Sequence, residues 1–102
     1  MIYLVTGGSR GIGAEIVRQA VREGNDVAFT YLGSTEKAEA VAAECAEING
    51  DVQCKAYRMD VRDAKEVERV GEQIIDDLGD PEVLVNNAAI SRDNLAVSMS
   101  DE

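Results

Sequence analysis

Apolar and polar positions along the chain alternate between two periods. Ile2 to Thr6 is a short run rich in β-branched and aromatic residues, the composition of a buried strand. From Gly11 the apolar residues Ile12, Ile16, Val17, Ala20 and Val21 recur at helical spacing, and Gly24-Asn25-Asp26 ends that helix with turn chemistry. Val27 to Tyr31 reads as a second strand. Ser34-Thr35 offers a helix N-cap with Glu36 in the first turn, and Ala38, Val41, Ala42, Cys45 and Ile48 share one helical face before Asn49-Gly50-Asp51. Val52 to Met59 alternates more than the earlier strands, and its Lys55 and Tyr57 predict a strand near a sheet edge. Asp63 is placed to cap a third helix carrying Val67, Val70, Ile74 and Leu78, which Gly79-Asp80-Pro81 stops. Glu82 to Val85 begins a fourth strand running into Asn86-Asn87-Ala88-Ala89, and residues 90–102 have no strong period.

The order is βαβαβαβ. Parallel strands need crossover helices, and right-handed crossovers build an open α/β sheet with helices on both faces. A doubly wound, Rossmann-type arrangement predicts strand order 3-2-1-4, with the ligand crevice at the carboxyl ends of strands 1 and 4. The glycine-rich stretch after the first strand and Asn86–Ala89 after the fourth both fall at that switch point. No linker, repeat or low-complexity tract interrupts the 102 residues, which are expected to form one domain or part of one.

Composition narrows the function classes. With 45% apolar and 29% charged residues, the chain has ordinary globular chemistry, and a domain of this size buries about 60–65% of its unfolded surface. The net charge of −10 argues against nucleic acid and anionic membrane as partners. There is no histidine, which removes histidine-based triads, and two cysteines cannot complete a structural zinc tetrahedron; no metal site is expected. Cys45 and Cys54 lack CxxC spacing and read as small buried apolar side chains. The chain enters a strand at once, without a basic n-region or long apolar segment, so a cytoplasmic protein is expected.

The strongest chemical signal is Val5-Thr6-Gly7-Gly8-Ser9-Arg10-Gly11-Ile12-Gly13. Glycines let a strand-to-helix turn fold tightly and approach a ligand closely, and the helix that follows points N–H groups and its positive dipole end at an anion. A pyrophosphate-bearing cofactor suits such a turn; a plain tight βα connection is the alternative. The spacing G-x-x-x-G-x-G differs from the common G-x-G-x-x-G fingerprint, and no Lys-Ser/Thr pair follows to make a Walker loop.

Thr6-Gly7-x-x-x-Gly11-x-Gly13, Asp60-Val61 after the third strand, and Asn86-Asn87-Ala88-Ala89 after the fourth together resemble the short-chain dehydrogenase/reductase family, in order and over the whole chain. Residues 86–102, with their Ser-Arg-Asp-Asn-Leu run, are particularly similar to bacterial 3-oxoacyl-acyl-carrier-protein reductases. The resemblance implies that Gly7, Ser9, Arg10, Gly11, Ile12 and Gly13 wrap the pyrophosphate and adenosine ribose. It implies that Asp60 and Val61 contact adenine, Asp60 by hydrogen bond and Val61 mainly through its backbone. Asn87, Ala88 and Ala89 would line the ribose region while Asn86 helps to fix the sheet. The plainer alternatives are a solvated cap or turn residue for Asp60 and simple turn chemistry for Asn86-Asn87. Ala89 departs from the family's usual glycine, and its methyl group narrows close approach and disfavours positive φ.

An NAD-specific site places an acid about 20 residues beyond the glycine loop to bond the ribose 2′-hydroxyl. Here that stretch is Phe29-Thr30-Tyr31-Leu32-Gly33-Ser34, without one. Arg10 can bond a 2′-phosphate with charge assistance unless it is merely a solvated loop charge, and Tyr31 and Ser34 add hydroxyls nearby. NADPH is therefore expected over NADH, in line with what the resemblance implies for arginine at this position.

In the family a tyrosine donates the proton, a lysine four residues later lowers its pKa, and a serine polarises the carbonyl. Tyr3, Tyr31 and Tyr57 each lack that lysine, so no catalytic set is assigned in these residues. Ser100-Asp101-Glu102 resembles the opening of a capped helix. The expectation is an N-terminal, cofactor-binding part (1–102) of a single domain whose catalytic part lies elsewhere. Its parent would reduce a 3-oxoacyl thioester on acyl carrier protein as a homo-oligomer, a tetramer by resemblance. A stand-alone regulatory module that senses NADPH, or a flavodoxin-like domain binding FMN, would be the alternatives. The apolar Val83-Leu84-Val85, if left at an edge, would favour self-association or recruitment of a missing half.

Overall fold

The structure, a computed structural model, describes residues 1–9 and 11–87. The elements follow the order β1 (Ile2–Thr6), α1 (Gly11–Arg22), β2 (Asp26–Tyr31), α2 (Thr35–Ile48), β3 (Cys54–Arg58), α3 (Ala64–Asp77) and β4 (Val83–Asn86). The four strands form one parallel sheet in the order β3-β2-β1-β4, as the connection rules predict.

Two cores sandwich the sheet because strand side chains alternate. On one face Val5, Val27 and Phe29 pack against Ala14, Val17, Ala20 and Val21 of α1 and Ala38, Val41 and Cys45 of α2. On the other, Ala28 and Met59 meet Val70 and Ile74 of α3, with Leu4 and Leu78 at the margins. Val27 and Phe29 against Ala28 is the period of two that sends successive β2 residues to opposite faces. Burial on both faces explains why β1 and β2 read as continuous apolar runs.

Local chemistry sets the helix ends. Ser34 caps α2, its Oγ accepting from the Lys37 N–H at 3.2 Å. Asp63 caps α3, its Oδ1 accepting from the N–H groups of Lys65 and Glu66 at 3.1 and 3.2 Å. Gly24, at φ 89°, turns the chain out of α1 into β2.

Several expectations shift. Ile12 is 74% exposed and does not belong to the buried stripe of α1, which runs through Gly13, Ala14, Val17, Ala20 and Val21. It sits in the first turn, one position off that stripe, beside the glycine loop. The third strand is shorter than residues 52–59, although the Gln53 carbonyl and the Met59 N–H still pair with β2 at 2.8 Å. The fourth begins one residue later and takes in Asn86, which lies opposite Thr6. Among the described residues β3 is a sheet edge, as its mixed polarity predicts, and no helix is long and apolar enough to cross a membrane.

Candidate cofactor site

All four strands are parallel and in close register, Thr6 lying opposite both Thr30 and Asn86, and Tyr31 opposite Arg58. The segments that follow them, 7–9, 11–13, 32–34, 60–61 and 87, therefore converge on one end of the sheet. These are the segments carrying the expected site residues; Arg10, Ala88 and Ala89 lie outside the described residues.

The glycines of the first loop meet two different demands. Gly7 and Gly11 have φ of 70° and 62°, where a side chain is strained. A Cβ on Gly11 would meet nothing within 4 Å, so the loop faces open space there. Gly8 and Gly13 instead let backbones pack closely. A Cβ on Gly8 would stand 2.6 Å from the Phe29 Cβ, and the Gly8 N–H donates to the Thr30 carbonyl at 3.0 Å, seating the loop across β2. A Cβ on Gly13 would overlap the Gly7 carbonyl oxygen and stand 2.7 Å from the Asn87 Nδ2. The first turn of α1 holds no acidic residue to compete with an anion for its N–H groups.

The two asparagines tie β4 to this loop. The Thr6 hydroxyl donates to Asn86 Oδ1 at 3.0 Å and accepts from the Asn87 N–H at 2.9 Å. The Asn87 Nδ2 donates to the Gly7 carbonyl at 3.1 Å. Turn chemistry alone would not reach across the sheet, so these residues latch the loop after β1 to the end of β4.

At the end of β2, Tyr31 is half-buried and Ser34 spends its oxygen on the α2 cap; a hydroxyl that accepts can still donate. After β3, the Asp60 Oδ1 accepts from the Arg62 N–H and Nε, and its Oδ2 from Arg62 Nη2, all at 3.0 Å. These bonds from Arg62, side chain first and backbone second, hold the Asp60 carboxyl below the usual carboxylate range, so it stays ionised. In this turn Asp60 thus accepts three hydrogen bonds from Arg62.

A family model described as short chain dehydrogenase matches residues 1–102. The chain belongs to the short-chain dehydrogenase family. Over 99 residues it is 46% identical to a 3-oxoacyl-[acyl-carrier-protein] reductase of Staphylococcus aureus (strain Mu50), covering 97% of this chain and 39% of that one. Over 101 residues it is 41% identical to the reductase of the same name from Haemophilus influenzae, covering 99% and 39%. It therefore spans about two fifths of the length of these curated relatives. A blue fluorescent protein from a metagenomic library, solved in complex with NADPH, superposes with a TM-score of 0.80 at 42% identity, covering 87% of this chain and 36% of that one. A short chain dehydrogenase from Burkholderia cenocepacia J2315, in complex with NADP, gives 0.80 at 40% identity, covering 88% and 36%.

For a short-chain dehydrogenase, the arrangement offers an anion-seeking helix start, an open space above Gly11 and a fixed acceptor at Asp60. Beside them, on the α3 face, lies a cleft of roughly 290 Å³ lined by Thr6, Thr30, Val61, Val67, Leu84 and Asn86 among others. Val61 and Asn86 thus join the switch point to an apolar recess. Tyr57 lies outside this cleft and donates to Asp77 Oδ2 at 2.7 Å, tying β3 to the end of α3. No group of three metal-binding side chains occurs among the described residues. Sequence reasoning missed Gly8, although the Gly7-Gly8 doublet signalled a second demand for close packing. It also missed Thr6 as the relay between the asparagines, and Glu66, whose Oε1 accepts from the Asp60 N–H at 2.6 Å.

Proposed function

We propose that this chain is the NADPH-binding portion of a reductase. The observation that carries the reading is the latched glycine loop: Gly7 and Gly11 at positive φ, open space above Gly11, and Asn87 fixing the Gly7 carbonyl. Gly7, Ser9, Arg10, Gly11, Ile12 and Gly13 hold the diphosphate and adenosine ribose, the exposed Ile12 covering the ribose. Asp60 and Val61 receive adenine, and Asn87, Ala88 and Ala89 line the ribose region. Arg10, Tyr31 and Ser34 bind the 2′-phosphate, with no carboxylate at the end of β2 to repel it.

The nicotinamide, when bound, supplies a hydride for carbonyl reduction. The chain's own residues bind and orient the dinucleotide. The relatives' names support a 3-oxoacyl thioester on acyl carrier protein as the substrate of the whole enzyme, reduced to the 3-hydroxyacyl form. A cytoplasmic homo-oligomer is part of the same proposal for the whole enzyme.

Fluorescence titration of the chain with NADPH, NADH and FMN tests this. Saturable binding with NADPH tighter than NADH is expected. Preference for FMN, or binding of none of the three, overturns it. Supplying the remainder of a related reductase in trans then separates two roles. Recovered carbonyl-dependent NADPH oxidation marks a reductase portion, while binding without such recovery favours a stand-alone sensing module.

A further inference from the structure

We propose that Arg62 is a positioning residue for the base of the bound dinucleotide, holding the Asp60 carboxylate so that it accepts the amino group of adenine and rejects a 6-oxo purine. This deepens the cofactor reading above and rests on it.

After β3 both backbone polar atoms of Asp60 are hydrogen-bonded. The Asp60 N–H donates to Glu66 Oε1 at 2.6 Å, and the Asp60 carbonyl accepts from the Asp63 N–H at 3.0 Å. With the backbone held, Arg62 fixes the side chain through both carboxylate oxygens, using the planar fork that a guanidinium presents. Arg62 itself is 60% exposed and Asp60 28%, and pairs so placed add little to folding stability. An organised but weakly stabilising clamp at the ligand end of the sheet fits a role in orientation better than one in folding.

The donor count gives the selectivity. An ionised carboxylate has about four lone-pair sites and no proton to donate. Arg62 fills three of them, two on Oδ1 and one on Oδ2. The remaining site, on Oδ2, can take one N–H from a 6-amino group. A 6-oxo purine would set an oxygen against that oxygen, leaving both without a hydrogen. Neither neighbouring acid can take over, since Asp63 caps α3 and Glu66 is bound to the Asp60 backbone.

The test titrates the chain with NADPH and with its analogue carrying hypoxanthine in place of adenine. Asp60→Asn should reduce the preference for NADPH about tenfold, and Arg62→Gln about threefold. In the Asp60→Asn background Arg62→Gln should add nothing, because its effect runs through that carboxylate. Arg62→Lys keeps the charge and loses the fork, so it should retain overall affinity without restoring selectivity. An unchanged preference in Arg62→Gln overturns the inference while leaving the cofactor reading standing. Failure of the unsubstituted chain to bind either nucleotide overturns both.

Discussion

The side-chain amide of Asn87 donates to the carbonyl oxygen of Gly7 at 3.1 Å, across 80 residues of sequence. It joins the two ends of the candidate site, because Gly7 opens the glycine loop after β1 and Asn87 follows β4. The bond also holds a carbonyl whose residue sits at φ 70°, a conformation with few other constraints on a glycine. Asn87→Ala should therefore lower stability by about 1 kcal/mol, and Asn87→Asp by more, since a carboxylate would face the Gly7 carbonyl without a hydrogen between them. Urea denaturation at neutral pH measures both, and a smaller loss in the aspartate variant would contradict the donor assignment.

Gly13 and Gly71 make opposite predictions for the same substitution. At Gly13 a methyl group overlaps the Gly7 carbonyl, so alanine must push α1 away from the loop, at a cost of about 1–3 kcal/mol. At Gly71, inside α3, a Cβ meets nothing within 4 Å, and alanine should stabilise by about 0.5–1 kcal/mol. Thermal or urea midpoints of the two variants should move in opposite directions.

The fold was legible because burial on both faces leaves long apolar runs for β1 and β2, and the helices carry clear stripes. Ile12 misled because an apolar residue in the first turn can serve the mouth of a loop as well as a core. Strand ends slipped by one or two residues because Gln53 and Met59 pair with β2 without continuing the strand. At the site, glycines and asparagines announced themselves by spacing. The Thr6 relay and the Glu66 bond to Asp60 could not be read, since each depends on distances between strand ends that no local pattern encodes. Asp60 was legible as a residue but not in its pairing, because no local pattern marks Arg62, two positions on, as its partner.

Tyr57 and Asp77 pin the end of α3 to the edge strand β3 and give stability a pH signature. Burial and then the bond to Asp77 push the Tyr57 hydroxyl above its ordinary range; the bond from Tyr57 and, after it, one from Gln73 hold the Asp77 carboxyl below its own. A raised tyrosine pKa gives stability that is intact below the unfolded value of about 10 and is lost as pH rises past it. A depressed aspartate pKa gives stability present above about 4 and lost on acidification. Tyr57→Phe should flatten the alkaline decline in urea midpoint between neutral pH and pH 11, and an identical decline in both proteins would remove Tyr57 as its cause.

Cys45 is fully buried, Cys54 is partly buried against the same core, and neither forms a disulfide. Burial raises both thiols above their ordinary range, so the reactive thiolate is scarce near neutrality. A chromogenic disulfide reagent at pH 8 should label the native chain slowly and both thiols at once in denaturant. Rapid native labelling would mean that the α2–β3 contact opens readily.

Cofactor choice rests on a sequence contrast at the end of β2. The stretch from Phe29 to Ser34 has no carboxylate to bond a ribose 2′-hydroxyl, while Arg10 stands between Ser9 and Gly11 in the loop that would hold the adenosine ribose. A guanidinium gains a charge-assisted bond only when a 2′-phosphate is present. Arg10→Ala should therefore weaken NADPH about tenfold or more and NADH by about twofold at most. Placing an acid at the end of β2, as in Leu32→Asp, should push the same ratio further toward NADH by repelling the phosphate and offering the hydroxyl a partner. Isothermal titration with both nucleotides measures the ratio, and equal losses for NADPH and NADH in Arg10→Ala would mean that Arg10 touches the shared diphosphate rather than the 2′-phosphate.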